Sequence, residues 1–404
     1  MKASGLIVEY NPFHHGHLHH YQRAKAISEA PCMVAIMSGN FLQRGEPAIV
    51  DKWHRTKMAL QSGIDLVLEL PFVFAVQHSD YFAKGAVLTL AAIGVQSICF
   101  GSEHGDIQPF YAVYDTIQER QADYHQFVKE ALQLGHSYPQ ANRLAYERLG
   151  IKDANFDLSK PNNILGYSYV KTIHDYKVDI KPCTIKRKHA NYHDSHIDHH
   201  IASATSIRNS IFSNGAILEE AKSALPKCSV QLLNRYKQEA GMWHEWDSYF
   251  PYLQYRISTM SKQELKHIQG MEEGLENKLK QTILKAQTFT QWMNIVKSKR
   301  YTWTRLQRIM VNILTNTTKE ELKMIKEIDK IPYVRVLGMT PTGKNYLHQI
   351  KKQMDVPLIT QIHKHSHPYL TIEERVMDSY YAIIPPNKKQ SIRKKEFQPP
   401  LMTH

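Results

Sequence analysis

Four short, almost unbroken apolar runs occupy the start of the chain, at 3–9 (ASGLIVE), 32–37 (CMVAIM), 65–70 (DLVLEL) and 96–100 (QSICF). A strand with one wet face alternates apolar and polar residues, whereas near-continuous apolarity suits parallel strands covered on both faces. Between the runs lie longer stretches with helical spacing, at 17–29, 51–62 and 79–93. Strand, helix, strand, helix is the pattern of βαβ units in a doubly wound parallel sheet. The fold class expected is therefore α/β and Rossmann-like. Such sheets bind ligands beyond the carboxyl ends of their strands, so chemistry is expected in the loops after the first, second and fourth runs.

Residues 106–177 read as mostly helical, and 178–185 returns as a strand ahead of KRKHANYH. From about residue 215 the pattern changes to long amphipathic helices dense in Lys, Glu and Gln, interrupted by a short α/β or irregular piece around 332–343. The expected division is an α/β domain over 1–215, a mainly helical region over 216–384 and a basic tail over 385–404. The tail carries Pro-Pro at both ends around KKQSIRKKEF and reads as flexible or loosely docked.

Composition narrows the partners. With 42 % apolar and 22 % charged residues in 404, whole-chain disorder, collagen-like sequence and a simple coiled coil are excluded. The longest apolar candidate for a membrane span, 64–76, is broken by Asp65, Glu69 and Pro71, so no membrane partner is expected. The opening MKASGLIVEYNPF lacks an apolar h-region before a cleavage site, so no signal peptide is expected. Cys32, Cys99, Cys183 and Cys228 lie far apart without a C-x-x-C pair and read as buried thiols of a reducing cytosol. The net charge of +13 is the one anomaly, and it admits nucleic acid, an anionic membrane surface or polyphosphate alike.

The segment Glu9-Tyr10-Asn11-Pro12-Phe13-His14-His15-Gly16-His17 joins the first strand to the first helix. Gly16 permits a tight turn with close backbone approach, and the first N–H groups of the helix form an anion site aided by its dipole. His14 and His17 flank that glycine, and imidazoles there can donate to phosphate oxygens and steady the charge of a departing pyrophosphate. A metal cluster of His14, His15, His17, His19 and His20 is the competing reading; no Cys or paired carboxylate lies nearby to complete one. A second run, His189, His193, His196, His199 and His200, has the same ambiguity and reads as a loop over the nucleotide or an ad hoc metal binder.

His14-x-Gly16-His17 after a first strand resembles the H-x-G-H signature of the adenylyl-transferring nucleotidyltransferase superfamily. Ser203-Ala204-Thr205-Ser206-Ile207-Arg208 matches that superfamily's second motif, [ST]-x-T-x-x-R, in its expected order. Longer strings narrow the resemblance: VEYNPFHHGH (8–17), SGNFLQRGEP (38–47), DLVLELP (65–71), Gly101-Ser102-Glu103, PNNILG (161–166), KRKHANYH (186–193) and KRYTWTRLQR (299–308). Together they are similar to the bacterial tRNA(Met) cytidine acetate ligase family, from the first residue to at least Gly343. The resemblance implies that ATP and acetate give acetyl-adenylate and pyrophosphate, and that the acetyl group passes to N4 of the wobble cytidine of elongator tRNA(Met). The chain lacks both the pyrophosphate loop of acetyl-coenzyme A transferases and a G-x-x-x-x-G-K-[ST] loop. The alternative is another H-x-G-H nucleotidyltransferase acting on a small molecule, which leaves the helical half without a role.

The resemblance also assigns residues. Ile7, Val8, Glu9, Tyr10, Asn11, Pro12, Phe13, His14, His15, Gly16, His17, Leu18, His19 and His20 would wrap the ATP, with His14 and His17 on its phosphates. Gly101 would let adenine or ribose approach the backbone, and Asn162 would contact the nucleotide from the facing helix. Arg187, Lys188, Ser203, Thr205 and Arg208 would clamp the phosphates, with His14, His17 and Arg208 carrying catalysis. Magnesium is expected as the counter-ion of ATP, with no protein ligands named. The loop 39–45, with two glycines, either holds acetate or cytosine or is a structural turn. Asp65 and Glu69 read as buried, paired structural carboxylates rather than catalytic ones.

For RNA, Lys297, Lys299, Arg300, Arg305 and Arg308 form a stretch without an acidic residue, interleaved with Tyr301 and Trp303. Cations engage phosphates and rings stack on unpaired bases, so this stretch is the expected tRNA contact, against a reading as a solvated helix face. The tail run Lys388, Lys389, Arg393, Lys394 and Lys395 contains no ring and would add only salt-sensitive affinity.

Overall fold

The computed structural model describes the chain apart from residues 137, 152–155, 159, 188–201, 324, 326, 363–366 and 404. One sheet organises it: β1 (Ala3–Val8), β2 (Cys32–Ser38), β3 (Leu66–Leu70), β4 (Ser97–Ser102), β5 (Lys181–Lys186), β6 (Val334–Met339), β7 (Leu358–Ile359) and β8 (Leu401–Met402). The order is β5-β4-β1-β2-β3-β6-β7, with β8 also on β6. The first five strands run parallel, as their apolar runs require, and every residue of β2 and β3 is buried. Helices α1 (His15–Ser28) and α2 (Lys52–Gln61), with Ser79–Ala92 and Pro161–Asp175, connect them at the positions read from the spacing. The chain steps from β1 outward through β2 and β3, then returns to place β4 and β5 on the other side. A crevice at the carboxyl ends of β1 and β4 follows from that reversal.

The second half departs from expectation. Much of it is helical, and the stretch around 332–343, expected as a short α/β or irregular piece, contains β6, which was not expected to join the sheet and extends it antiparallel to β3. The segment 385–404, expected to be flexible or loosely docked, docks through the helix Pro386–Arg393 and then adds β8 beside β6. Its basic residues look solvated in sequence because their partners are distant. Lys395 Nζ lies 2.6 Å from Glu239, Arg393 Nε 2.7 Å from Asp378, and Lys388 Nζ donates to Gln238 O at 2.7 Å.

Beneath this junction four charges are buried together. Lys52 Nζ is 2.7 Å from Glu69 and 2.9 Å from Glu396, while Arg335 is 2.7 Å from Glu69 and 3.1 Å from Glu396. Burial alone would raise the Glu69 carboxyl, but Lys52 and Arg335 hold it below its ordinary value. Asp65 accepts from Met33 N at 2.9 Å and from Thr340 Oγ1 at 3.1 Å. Glu69 is thus buried and paired as expected, whereas Asp65, just before β3, is half-buried and held by hydrogen bonds instead of an ion pair among the described residues. No helix among the described residues is long and apolar enough to cross a membrane.

Candidate functional site

The chain leaves β1 through a constrained turn. Tyr10 has φ of 52°, a left-handed conformation costly for a side chain of its size, and such strain concentrates at functional sites. Its ring packs against Phe13 and His17 at 4.7 and 5.0 Å between centroids, and Asn11 Oδ1 accepts from Ile49 N at 2.8 Å. Ile7 and Val8 are spent in the strand, paired with Ile36 and Met37.

The first turn of α1 is capped by its own histidines. His14 Nδ1 accepts from Gly16 N at 3.0 Å, and His17 Nδ1 accepts from His14 N at 3.3 Å. This is a capping box built from imidazoles. Because each Nδ1 is an acceptor, each neutral ring carries its hydrogen on Nε2 and is set to donate. The rings lie 3.9 Å apart, too close for two like charges. Burial, with Arg187, His15 and Arg208 near, lowers His14 to about 3; burial and His14 hold His17 well below its ordinary value. Burial and Arg187 bring His20 to about 4. The helix N-terminus therefore carries neutral imidazoles beside its first backbone N–H groups, where an anion is favoured.

The second motif closes on the first. Ser203 caps the helix Ala204–Asn214 by accepting from Ser206 N at 3.0 Å, and Thr205 sits in its first turn. One turn on, Arg208 donates to Asn11 O at 2.9 Å and pairs with Glu46 at 2.9 Å. From the β4 side, Arg187 N donates to Ser102 O at 2.9 Å. The Arg187 stem lies over Gly101, where a Cβ would stand 3.2 Å from its Cγ. Asn162 Nδ2 donates to Glu103 at 2.7 Å, and the same carboxylate accepts from Asn163 N at 2.8 Å. Lys188 and the run from His189 to His200 lie outside the described residues.

The loop after β2 is a built turn. Glu9 Oε1 accepts from Gln43 N at 2.7 Å, and burial raises the Glu9 carboxyl. Arg55 ties the ends of β1 and β2 by donating to Glu9 O at 2.8 Å, Ser38 O at 3.0 Å and Gly39 O. Gly45 has φ of 75°, and a Cβ there would stand 2.3 Å from Arg308 N, so no other residue fits. Sequence reasoning passed over Arg55 and Glu46; the string SGNFLQRGEP contained Glu46 but gave it no partner.

The stretch expected to meet RNA splits in two. Lys297, Lys299 and Arg300 are exposed. Tyr301 is only 7 % exposed, so its ring is not offered to a base, and Trp303 is half-buried. The absence of acid in the local sequence is also undone by folding, because Glu272 pairs with Arg300 at 3.2 Å and with Arg305. Arg308 donates to Gln43 O at 2.8 Å, and burial beside Arg44 lowers it to about 10. The helix Trp303–Leu314 therefore stands directly on the loop that Glu9 holds. Among the described residues no group of three His, Cys, Asp or Glu side chains could hold a metal ion.

The arrangement matches known proteins. A HIGH Nucleotidyl Transferase family model covers residues 1–396. The tRNA(Met) cytidine acetate ligase of Oceanobacillus iheyensis is 50 % identical over 403 residues, with all of both chains covered. That of Bacillus subtilis is 46 % identical over 383 residues, 94 % of this chain and 92 % of that one. The chain belongs to the tRNA(Met) cytidine acetate ligase family. Among solved structures, Thermotoga maritima TmcAL bound with alpha-thio ATP superposes over the full length of both chains with a TM-score of 0.89 at 31 % identity. Its apo form gives 0.91 at 30 %. The likeness covers β6 to β8 as well as the first five strands.

Proposed function

We propose that the chain is an ATP-dependent ligase that makes acetyl-adenylate from acetate and acetylates N4 of the wobble cytidine of elongator tRNA(Met). The observation that carries this reading is the pair of neutral histidines capping the N-terminus of α1, joined by Arg208 through Asn11 O. Acetate oxygen attacks the α-phosphorus of ATP, and the bond to pyrophosphate breaks. His14 and His17 donate to the phosphate oxygens, and Arg187 and Arg208 offset the charge that builds on the leaving group. The cytidine amine then attacks the acetyl carbonyl, AMP departs and the amine loses a proton. Activation is needed because the amine lone pair is delocalised into the ring and free acetate is unreactive.

Magnesium enters as the counter-ion of ATP. Ser203, Thr205 and Asn162 complete the nucleotide contacts, and Lys297, Lys299 and Arg300 supply phosphate contacts to tRNA. The catalytic unit corresponds to 1–215 with the sheet extension at β6 to β8, and the helices between carry the RNA surface. The test is incubation with ATP, labelled acetate and bulk tRNA, followed by digestion. N4-acetylcytidine that requires ATP and not acetyl-coenzyme A supports the reading. Nucleotide turnover without labelled RNA refutes it.

A further inference from the structure

Helix α2 serves the crevice and the charge cluster with one set of residues, Lys52 and Arg55, and presents another elsewhere. Trp53, His54 and Lys57 share a face by helical spacing, and with Lys395 and Gln398 of the C-terminal segment they line a cavity of about 50 Å³. A single water needs only roughly 10–15 Å³ by such a measure, so a tetrahedral oxyanion fits.

The lining is rich in donors. Trp53 is 3 % exposed, and its indole Nε1 has no hydrogen-bond partner. An N–H buried without an acceptor costs about 1–3 kcal/mol. Lys57 is half-buried and makes no ion pair among the described residues. Burial, then Arg235 and Lys395, hold its ammonium below the ordinary value, against the pull of Glu239 and Asp51. Both carboxylates are already committed. Glu239 takes Lys395 at 2.6 Å, Arg235 at 2.7 Å and His54 Nε2 at 3.5 Å, while Asp51 takes His54 Nδ1 at 2.7 Å. Lys57 is the cation left over.

We propose that this cavity binds one phosphate group, held chiefly by the Lys57 ammonium with the Glu239-paired Lys395 beside it, separately from the nucleotide crevice. The group is either a backbone phosphate of the RNA substrate or free inorganic phosphate. An ammonium is a strong point-charge partner for phosphate.

The test uses the full-length protein with its crevice filled by alpha-thio ATP, and inorganic phosphate as the probe in equilibrium dialysis. Wild type is expected to bind one phosphate per chain. Lys57→Met should weaken it by about ten- to a hundredfold, and Lys57→Arg should restore most of the affinity. In parallel, tRNA affinity is followed against salt. A slope reduced by about one in Lys57→Met supports the site with an RNA phosphate as its occupant. Loss of phosphate binding with the slope unchanged supports it with free phosphate. Equal or absent phosphate binding in wild type and Lys57→Met, together with equal slopes, overturns the proposal. None of these readouts depends on acetyl transfer, so failure here is distinguishable from failure of the ligase reading.

Discussion

The nucleotide crevice and the charge cluster under β3 and β6 are both buried and polar, and they solve burial in opposite ways. In the cluster, Lys52, Glu69, Arg335 and Glu396 keep their charges because each has two opposite partners within 3.1 Å. In the crevice, His14 and His17 give up their charge: their Nδ1 atoms accept from the backbone, and burial with neighbouring cations keeps the rings neutral. A fully reciprocated set has nothing to offer a ligand. A set satisfied on one side only is ready for one, at some cost to the empty protein.

The comparison breaks first at Arg335. Arg335→Leu leaves Glu69 and Glu396 to share Lys52 alone and should cost about 3–5 kcal/mol in urea unfolding, because removing one partner leaves uncompensated charge. A loss below 1 kcal/mol would mean the cluster is not closed. In the crevice, His17→Ala should slow ATP–pyrophosphate exchange by about 10²- to 10³-fold, the usual cost of one oxyanion donor, while tRNA affinity is nearly kept. Equal loss of both would merge two functions held here to be separate.

Acid separates the regions. His14 has a folded value of about 3 against 6.5 unfolded, so the unfolded chain takes the proton first. Its contribution is fully present above pH 6.5 and lost as pH falls towards 3; at pH 5 the loss is about 2 kcal/mol. His14→Asn keeps a good N-cap and should flatten that limb relative to wild type. Despite its burial, Glu69 is held below its ordinary value of 4.5 by Lys52 and Arg335, so its contribution is present above that pH and lost only below it. The smallest effect is expected outside both regions. Lys299→Ala should lower the salt slope of tRNA binding by about one and leave adenylate formation unchanged.

Much of the first half was legible in the sequence. Parallel strands need continuous apolar runs, so 32–37 and 65–70 mark β2 and β3 closely, and H-x-G-H locates the helix N-terminus that the histidines cap. The second half was less legible for a definite reason. The β6 sequence VRVLGM carries an arginine that looks exposed until Glu69 and Glu396 are placed beside it, and the tail looks solvated until Glu239 and Asp378 meet it. Tyr301 and Arg308 likewise look available in a basic–aromatic stretch, yet one is buried and the other holds Gln43 O.

By itself, then, the sequence determined the parallel sheet, the crevice at its switch point and the histidine motif, because periodicity and tight turns are properties of neighbouring residues. Tertiary structure alone decided which charges are spent and which are spare. Arg208 meets Asn11 across 197 residues and Arg335 meets Glu69 across 266. The energy of a buried charge depends on the partners within a few ångströms, and those are chosen by the fold and not by the chain.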